Sequence, residues 1–97
     1  MSRVLIVTGG SRGLGAATCI GAAEQGYEAI CVNYVGNKAR ADQVVAACEA
    51  AGAKAIAVQA DITKEADINQ MFETVDKELG TVTHLVNSAG IVGPYAR

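Results

Sequence analysis

Four glycines and one arginine lie close together in the segment VTGGSRGLGAA, residues 7–17, which contains no carboxylate. The segment follows the apolar run Val4–Val7 and leads into the predicted helix Leu14–Gln25. Glycines let a backbone approach a ligand closely, and the unpaired amide groups at a helix start attract an anion. The segment therefore predicts a phosphate-binding turn between a strand and a helix. The alternative is that the glycines only permit a tight turn and close packing of the helix on the strand.

The spacing of these glycines narrows the kind of phosphate site. Thr8 precedes glycines at positions 9, 10, 13 and 15, which gives the pattern T-G-x-x-x-G-x-G. The common dinucleotide pattern G-x-G-x-x-G is absent, and so is the G-K-[ST] ending of a P-loop. The sequence therefore excludes a P-loop and leaves a longer glycine turn.

The turn belongs to a regular alternation of short apolar runs and helical segments. Asn37 and Thr63 are expected to cap the second and third helices at their N-termini. The predicted strands are Val4–Val7, Ala29–Val32, Ala55–Val58 and Leu85–Val86, and the predicted helices are Leu14–Gln25 and the segments from Asn37 to Gly52 and from Thr63 to Gly80. Parallel strands need right-handed helical crossovers. The order β-α-β-α-β-α-β thus predicts an α/β fold with a doubly wound parallel sheet.

Composition excludes several classes of partner. The net charge is −2 and the 8 Lys and Arg residues are scattered, so no basic surface for nucleic acid is expected. No apolar run approaches the roughly 18 residues that span a bilayer, and the N-terminus lacks the layout of a signal peptide. A cytoplasmic protein with no membrane partner is therefore expected. Cys19, Cys31 and Cys48 form no C-x-x-C pair, which indicates buried thiols and no metal site.

Three motifs occur in order at the ends of predicted strands: TGGSRGLG at residues 8–15, DI at 61–62 and NSAG at 87–90. Together they resemble the short-chain dehydrogenase/reductase family, and most nearly its 3-oxoacyl-carrier-protein reductases and glucose 1-dehydrogenases. The resemblance implies a Rossmann-type sheet with strand order 3-2-1-4. It covers the whole chain, residues 1–97, but roughly the first two-fifths of a usual member, so the domain is expected to continue beyond residue 97 with its later strands and helices. Ser88 departs from the family, which usually has a second Asn there.

The resemblance also implies which residues contact a nicotinamide dinucleotide. The implied contacts are Gly9, Ser11, Arg12, Gly13 and Leu14 for the phosphates and ribose, Asn33 and Tyr34 for the adenosine ribose, Asp61 and Ile62 for adenine, and Asn87, Ala89 and Gly90 for the nicotinamide-side ribose. No metal ligand is expected.

Charge near the end of the second strand favours NADP over NAD. An NAD site usually has an Asp or Glu there, about 20 residues past the glycines, which binds the ribose 2′-OH. This chain has Asn33 and Tyr34 at that place and no carboxylate from residue 29 to residue 41. Arg12, Lys38 and Arg40 lie in segments that converge on the same ribose, where they would attract a 2′-phosphate. The alternative is that Lys38 and Arg40 are a solvated helix face, and NAD stays the alternative cofactor.

No catalytic residue is assigned in this chain. The family transfers hydride between the cofactor and an alcohol or ketone with a Ser and a Tyr-x-x-x-Lys pair in its later half. Tyr34 and Lys38 have that spacing, but Gly36 and Asn37 interrupt any helix between them, and the segment lies beside the adenosine ribose. His84 has no Ser, Cys or Asp at a spacing typical of a catalytic pair, and it is expected to be a surface or packing residue.

Two functions follow from these patterns. The first is the cofactor-binding part of an NADP-dependent oxidoreductase that acts on a small alcohol or ketone and forms a homotetramer, as the family commonly does. The second is a non-catalytic dinucleotide-binding module, if the 97 residues are the complete protein. On either view the chain alone is expected to be inactive as an enzyme.

Overall fold

The computed structural model describes residues 3–9 and 13–87, so the predictions for Ser11, Arg12, Ala89 and Gly90 lie outside the described residues. Its elements are β1 (Val4–Thr8), α1 (Gly13–Glu24), β2 (Ala29–Tyr34), α2 (Lys38–Ala50), β3 (Lys54–Gln59), α3 (Glu65–Glu78) and β4 (His84–Asn87). The predicted order of strands and helices is confirmed. The boundaries of most elements differ from the prediction by one or two residues.

The four strands form one parallel sheet in the order β3-β2-β1-β4. This confirms the Rossmann-type order. At the carboxyl end of the sheet, Val7 of β1 pairs with Val32 of β2, and Thr8 pairs with Asn87 of β4. The glycine turn after β1 therefore leaves the sheet between the ends of its two neighbouring strands.

Helices cover both faces of the sheet, and β1 is therefore buried on both sides. Leu5 and Val7 pack in a core cluster with residues of α1 and α2. Val4 and Ile6 pack in a second cluster with residues of α3. Successive side chains of a strand point to opposite faces, so a run of apolar residues without alternation is what two-sided burial requires.

The two predicted helix caps have different outcomes. Asn37 precedes α2, and its Oδ1 accepts a hydrogen bond from the amide of Arg40 at 3.0 Å, which confirms it as the N-cap. The prediction for Thr63 is wrong: α3 follows Lys64, whose side chain makes no capping bond. The Thr63 hydroxyl instead donates to the carboxylate of Asp61 at 2.6 Å. A short polar side chain that binds within its own loop is no longer available to the helix.

The three cysteines are buried, as predicted, and they form no disulfide bond with one another. Burial raises the pKa of Cys19 and of Cys31 to about 12, and that of Cys48 to about 11. They pack as small apolar groups and are not reactive thiols at neutral pH. In the described part of the chain, no helix is long and apolar enough to cross a membrane.

Candidate functional site

The carboxyl ends of all four strands lie along one edge of the sheet. Parallel strands place the loops that follow them at the same edge, which is where open α/β sheets bind ligands. The structure brings together there the described residues that were predicted as ligand contacts, which are Gly9, Gly13, Leu14, Asn33, Tyr34, Asp61, Ile62 and Asn87.

Two described glycines on either side of residues 10–12 have backbone conformations that favour glycine. Gly9 follows β1 with φ of 66°, and Gly13 opens α1 with φ of 60°, both in the left-handed region that favours glycine. The first turn of α1 contains no acidic residue, so no carboxylate opposes an anion at this helix start. Leu14 is 81% exposed and is therefore available to a ligand.

Asn33, the penultimate residue of β2, connects two of the loops at this edge. Its side chain is buried, with 1% of its surface exposed. Oδ1 accepts a hydrogen bond from the amide of Gly9 at 3.1 Å. Nδ2 donates to the carbonyl oxygens of Val58 at 3.2 Å and Ala60 at 3.1 Å. The carboxamide thus joins the glycine turn to the chain after β3.

Beyond Asn33, the end of β2 is buried under α2. Tyr34 is a member of the core cluster that contains residues of α2. Lys38, the first residue of α2, lies near the surface, and its ammonium group contacts the carboxylate of Asp42 at 2.9 Å. Both of these side chains are mostly exposed, and an exposed ion pair of this kind contributes little to stability. The Lys38 side chain can therefore leave Asp42 for another anion at low cost.

The loop after β3 holds Asp61 by several hydrogen bonds. The amide of Asp61 donates to Oδ2 of Asp67 in α3 at 2.9 Å. Oδ1 of Asp61 accepts hydrogen bonds from the Thr63 hydroxyl at 2.6 Å and from the Thr63 amide at 2.9 Å. These bonds lower the pKa of Asp61, with the hydroxyl making the largest contribution. The carboxylate is therefore ionised and fixed in direction at neutral pH.

The end of β4 is tied to the end of β1. The hydroxyl of Thr8 donates to Oδ1 of Asn87 at 2.8 Å. A cavity of about 150 Å³ lies beside this pair, and Ile62 and Leu85 contribute to its apolar wall. The site therefore has a polar side at the glycine turn and an apolar side between β4 and α3.

These groups can bind and orient an anionic ligand, but the described residues offer no acid–base pair for chemistry. His84 lies at the opposite, amino end of β4 and is exposed, with its ring 5.4 Å from that of Tyr27 in an edge-on contact. Among residues 3–9 and 13–87, no group of His, Cys, Asp and Glu could hold a metal ion. Tyr34 is buried, and Lys38 contacts Asp42.

Sequence reasoning missed two residues that shape the site. Thr8 was considered only as part of the glycine pattern, and its bond to Asn87 needs the pairing of β1 with β4 to be known. Asp67, in the first turn of α3, is not among the predicted ligand contacts. The sequence could have indicated this role, because Asp67 lies three residues after Lys64, and a carboxylate at that position can accept a hydrogen bond from the backbone before the helix.

Comparison with known proteins places these features in a family. A family model described as short chain dehydrogenase matches residues 3–97. A 3-oxoacyl-[acyl-carrier-protein] reductase from Staphylococcus epidermidis is 40% identical over 91 residues, which are 94% of this chain and 37% of that protein. An uncharacterized oxidoreductase from Methylorubrum extorquens is 44% identical over 89 residues, which are 92% of this chain and 36% of that protein. The chain therefore spans little more than a third of the length of these relatives.

Solved structures show the same fold. A dehydrogenase-like protein from Burkholderia cenocepacia, determined with bound NADP, superposes with a TM-score of 0.85 at 30% identity, over 89% of this chain and 33% of that chain. A short-chain dehydrogenase/reductase-like protein from Burkholderia xenovorans superposes with a TM-score of 0.87 at 30% identity, over 96% of this chain and 39% of that chain.

Proposed function

The chain belongs to the short-chain dehydrogenase family, and on that premise we propose that it is the cofactor-binding portion of an oxidoreductase that uses NADP(H). The reaction is hydride transfer between NADP(H) and an alcohol or ketone. The relatives named as 3-oxoacyl reductases support a ketone as the substrate class. We also propose that residues 1–97 are one part of a longer Rossmann domain, a proposal supported by the 37% of such a relative that the chain covers.

One observation carries this proposal most strongly: the glycine turn, the Asp61 loop and the end of β4 meet at one edge of the sheet. Gly9 and Gly13 have positive φ angles, which lets the backbone approach a pyrophosphate at the start of α1. The fixed carboxylate of Asp61 stands at the end of β3 as a hydrogen-bond acceptor. Thr8 holds the Asn87 side chain at the end of β4.

The proposed contacts follow the family's motifs on this chain. Each part of the dinucleotide has its own residues: Gly9, Ser11, Arg12, Gly13 and Leu14 for the phosphates and ribose, Asp61 and Ile62 for adenine, and Asn87, Ala89 and Gly90 for the nicotinamide-side ribose. When bound, the dinucleotide supplies the hydride. The residues of this chain bind and orient it, and the catalytic Ser, Tyr and Lys of the family have no counterpart among residues 1–97.

Electrostatics supports NADP over NAD. The end of β2 carries the uncharged side chains of Asn33 and Tyr34, where an NAD site has a carboxylate. On this proposal Arg12, Lys38 and Arg40 would attract the 2′-phosphate, and the exposed pair of Lys38 with Asp42 can open at low cost. The NADP bound to the Burkholderia cenocepacia protein is consistent with this preference. By family resemblance, we also propose a homotetramer in the cytoplasm.

The direct test is a titration of the full protein with NADPH, followed by the emission of the nicotinamide. The chain contains no Trp, so little protein emission from this part overlaps the signal. We expect saturable binding, and NADPH consumption when a 3-oxoacyl thioester or simple ketone is added. A full protein that binds neither NADPH nor NADH would disprove the proposed function.

A further inference from the structure

Asn33 is an unusual residue for the inside of a parallel sheet. It lies between the apolar Val32 and the buried Tyr34, and its side chain is 1% exposed. Burial of a carboxamide is costly unless its hydrogen bonds are made. Here both Nδ2 protons and Oδ1 have partners, on Val58, Ala60 and Gly9. The residue is therefore satisfied by the protein alone and has little surface for a ligand.

Two of these partners, on Gly9 and Ala60, are backbone groups of loops that the proposed function assigns to different parts of the cofactor. Gly9 begins the turn that binds the pyrophosphate, and Ala60 precedes Asp61 in the loop that contacts adenine. The two loops follow β1 and β3, which do not pair with each other in the sheet. The Asn33 side chain, on the strand between them, connects them directly.

We propose that Asn33 is a positioning residue that sets the distance between the pyrophosphate turn and the adenine loop, and that it strengthens cofactor binding without contacting the cofactor. This inference rests on the proposed function. It adds that a polar side chain near the end of β2, the region in which an NAD site has its ribose acceptor, is committed here to the protein's own backbone.

The chemistry of the carboxamide makes a sharp distinction between Asn and Asp at this position. Asn has two N–H donors and an acceptor oxygen, whereas an ionised Asp has acceptors only. An Asp at position 33 could accept from the Gly9 amide but would set a negative oxygen against the carbonyls of Val58 and Ala60. The exchange that would seem to create an NAD site should therefore separate the two loops.

The experiment compares Asn33→Asp and Asn33→Ala in the full protein with Asn69→Asp, which makes the same change of charge on the exposed side of α3. We expect both variants at position 33 to bind NADPH and NADH more weakly by about the same factor, on the order of tenfold or more for lost bonds to buried groups. The ratio of the two affinities should stay near that of the original protein. The Asn69→Asp variant should bind both as the original does.

Steady-state kinetics separates positioning from a general loss of stability. Under conditions where the variants are folded, we expect the KM for the cofactor to rise while kcat at saturation changes little, because the bound cofactor again orders the loops. If Asn33→Asp tightens NADH binding relative to NADPH, the side chain reaches the ribose and the proposal is wrong. Unchanged affinity in Asn33→Ala also overturns it.

Hydrogen exchange provides a test that needs neither a cofactor nor a variant. The Gly9 amide should exchange slowly in the original protein, because Oδ1 of Asn33 accepts its proton. Exchange as fast as that of an exposed amide would overturn the proposal. If the original protein binds no dinucleotide but protects this amide, the proposed function fails and the loop connection stands.

Discussion

The hydroxyl of Thr8 donates a hydrogen bond to Oδ1 of Asn87 across 2.8 Å, between the last residues of β1 and β4. The bond determines that the oxygen of the Asn87 carboxamide, and not its nitrogen, faces the Thr8 hydroxyl. Since Oδ1 is the acceptor, the two protons of Nδ2 are directed elsewhere and can serve a ligand at the sheet edge. A strand-to-strand contact thereby orients a group proposed to bind the nicotinamide-side ribose.

Replacing Thr8 with Val tests this relationship, because Val has nearly the same shape and no hydroxyl. We expect the free energy of unfolding to fall by about 1 kcal/mol for the lost hydrogen bond, and NADPH to bind less tightly as the Asn87 amide loses its fixed direction. Chemical denaturation and NADPH titration measure the two effects. Thr74→Val is the matched control, since the Thr74 hydroxyl bonds only within α3, to the carbonyl of Gln70. Equal effects of the two substitutions on NADPH affinity would contradict the role given to Thr8.

The left-handed conformation of Gly13 can be tested by Gly13→Ala. Among the described residues, apart from its chain neighbours and the backbone of its own helix, no atom lies within 4 Å of a Cβ built at this position, so the expected cost comes from the φ of 60°. We expect a loss of roughly 1–2 kcal/mol in unfolding free energy. Gly21→Ala is the control within the same helix, where a Cβ also meets nothing within 4 Å and no positive φ applies. That substitution should stabilise the protein by roughly 0.5–1 kcal/mol. Thermal or chemical unfolding of both variants gives the comparison, and the same sign for both would contradict the assigned conformation.

The pKa of Asp61 predicts a dependence on pH. The Thr63 hydroxyl and amide lower this pKa in the folded protein. A lowered folded pKa means that ionised Asp61 stabilises the folded state above the unfolded pKa, and that this contribution is lost as pH falls through the folded pKa. Thr63→Val should raise the pKa of Asp61 toward its usual value of 3.8, as followed by NMR titration of the carboxyl group.

The same substitution should also change acid stability. Relative to the original protein, Thr63→Val should be destabilised at neutral pH, and the difference should shrink as the pH falls below the pKa of Asp61 in both proteins. Thr81→Val, in the turn before β4, controls for the loss of a threonine hydroxyl elsewhere. An unchanged Asp61 pKa in Thr63→Val would show that the hydroxyl does not hold the carboxylate.

Much of the fold could be predicted from the sequence because its signals are local. The run Val4–Val7 is apolar without alternation, and Asn37 is followed by apolar residues at helical spacing, so each element could be identified from its own segment. Site features that depend on contacts between strands could not be predicted from the sequence. The bonds of Asn33 reach 24 residues back to Gly9 and 27 residues forward to Ala60. The prediction for Thr63 failed although all its possible partners are local. Its hydroxyl binds the carboxylate of Asp61 and does not cap α3, and the sequence does not distinguish these two arrangements.

The measurement that tests the central claim most directly is the affinity of the full protein for NADPH and for NADH, before and after Arg12→Asp. Arg12 is the cation within the glycine turn sequence and the proposed partner of the 2′-phosphate. We expect the original protein to bind NADPH about tenfold more tightly than NADH or better, as one charge-assisted contact to phosphate would give. In Arg12→Asp this preference should disappear or reverse. Equal affinities in the original protein, or an unchanged ratio in Arg12→Asp, would contradict the claim that this turn is an NADP site.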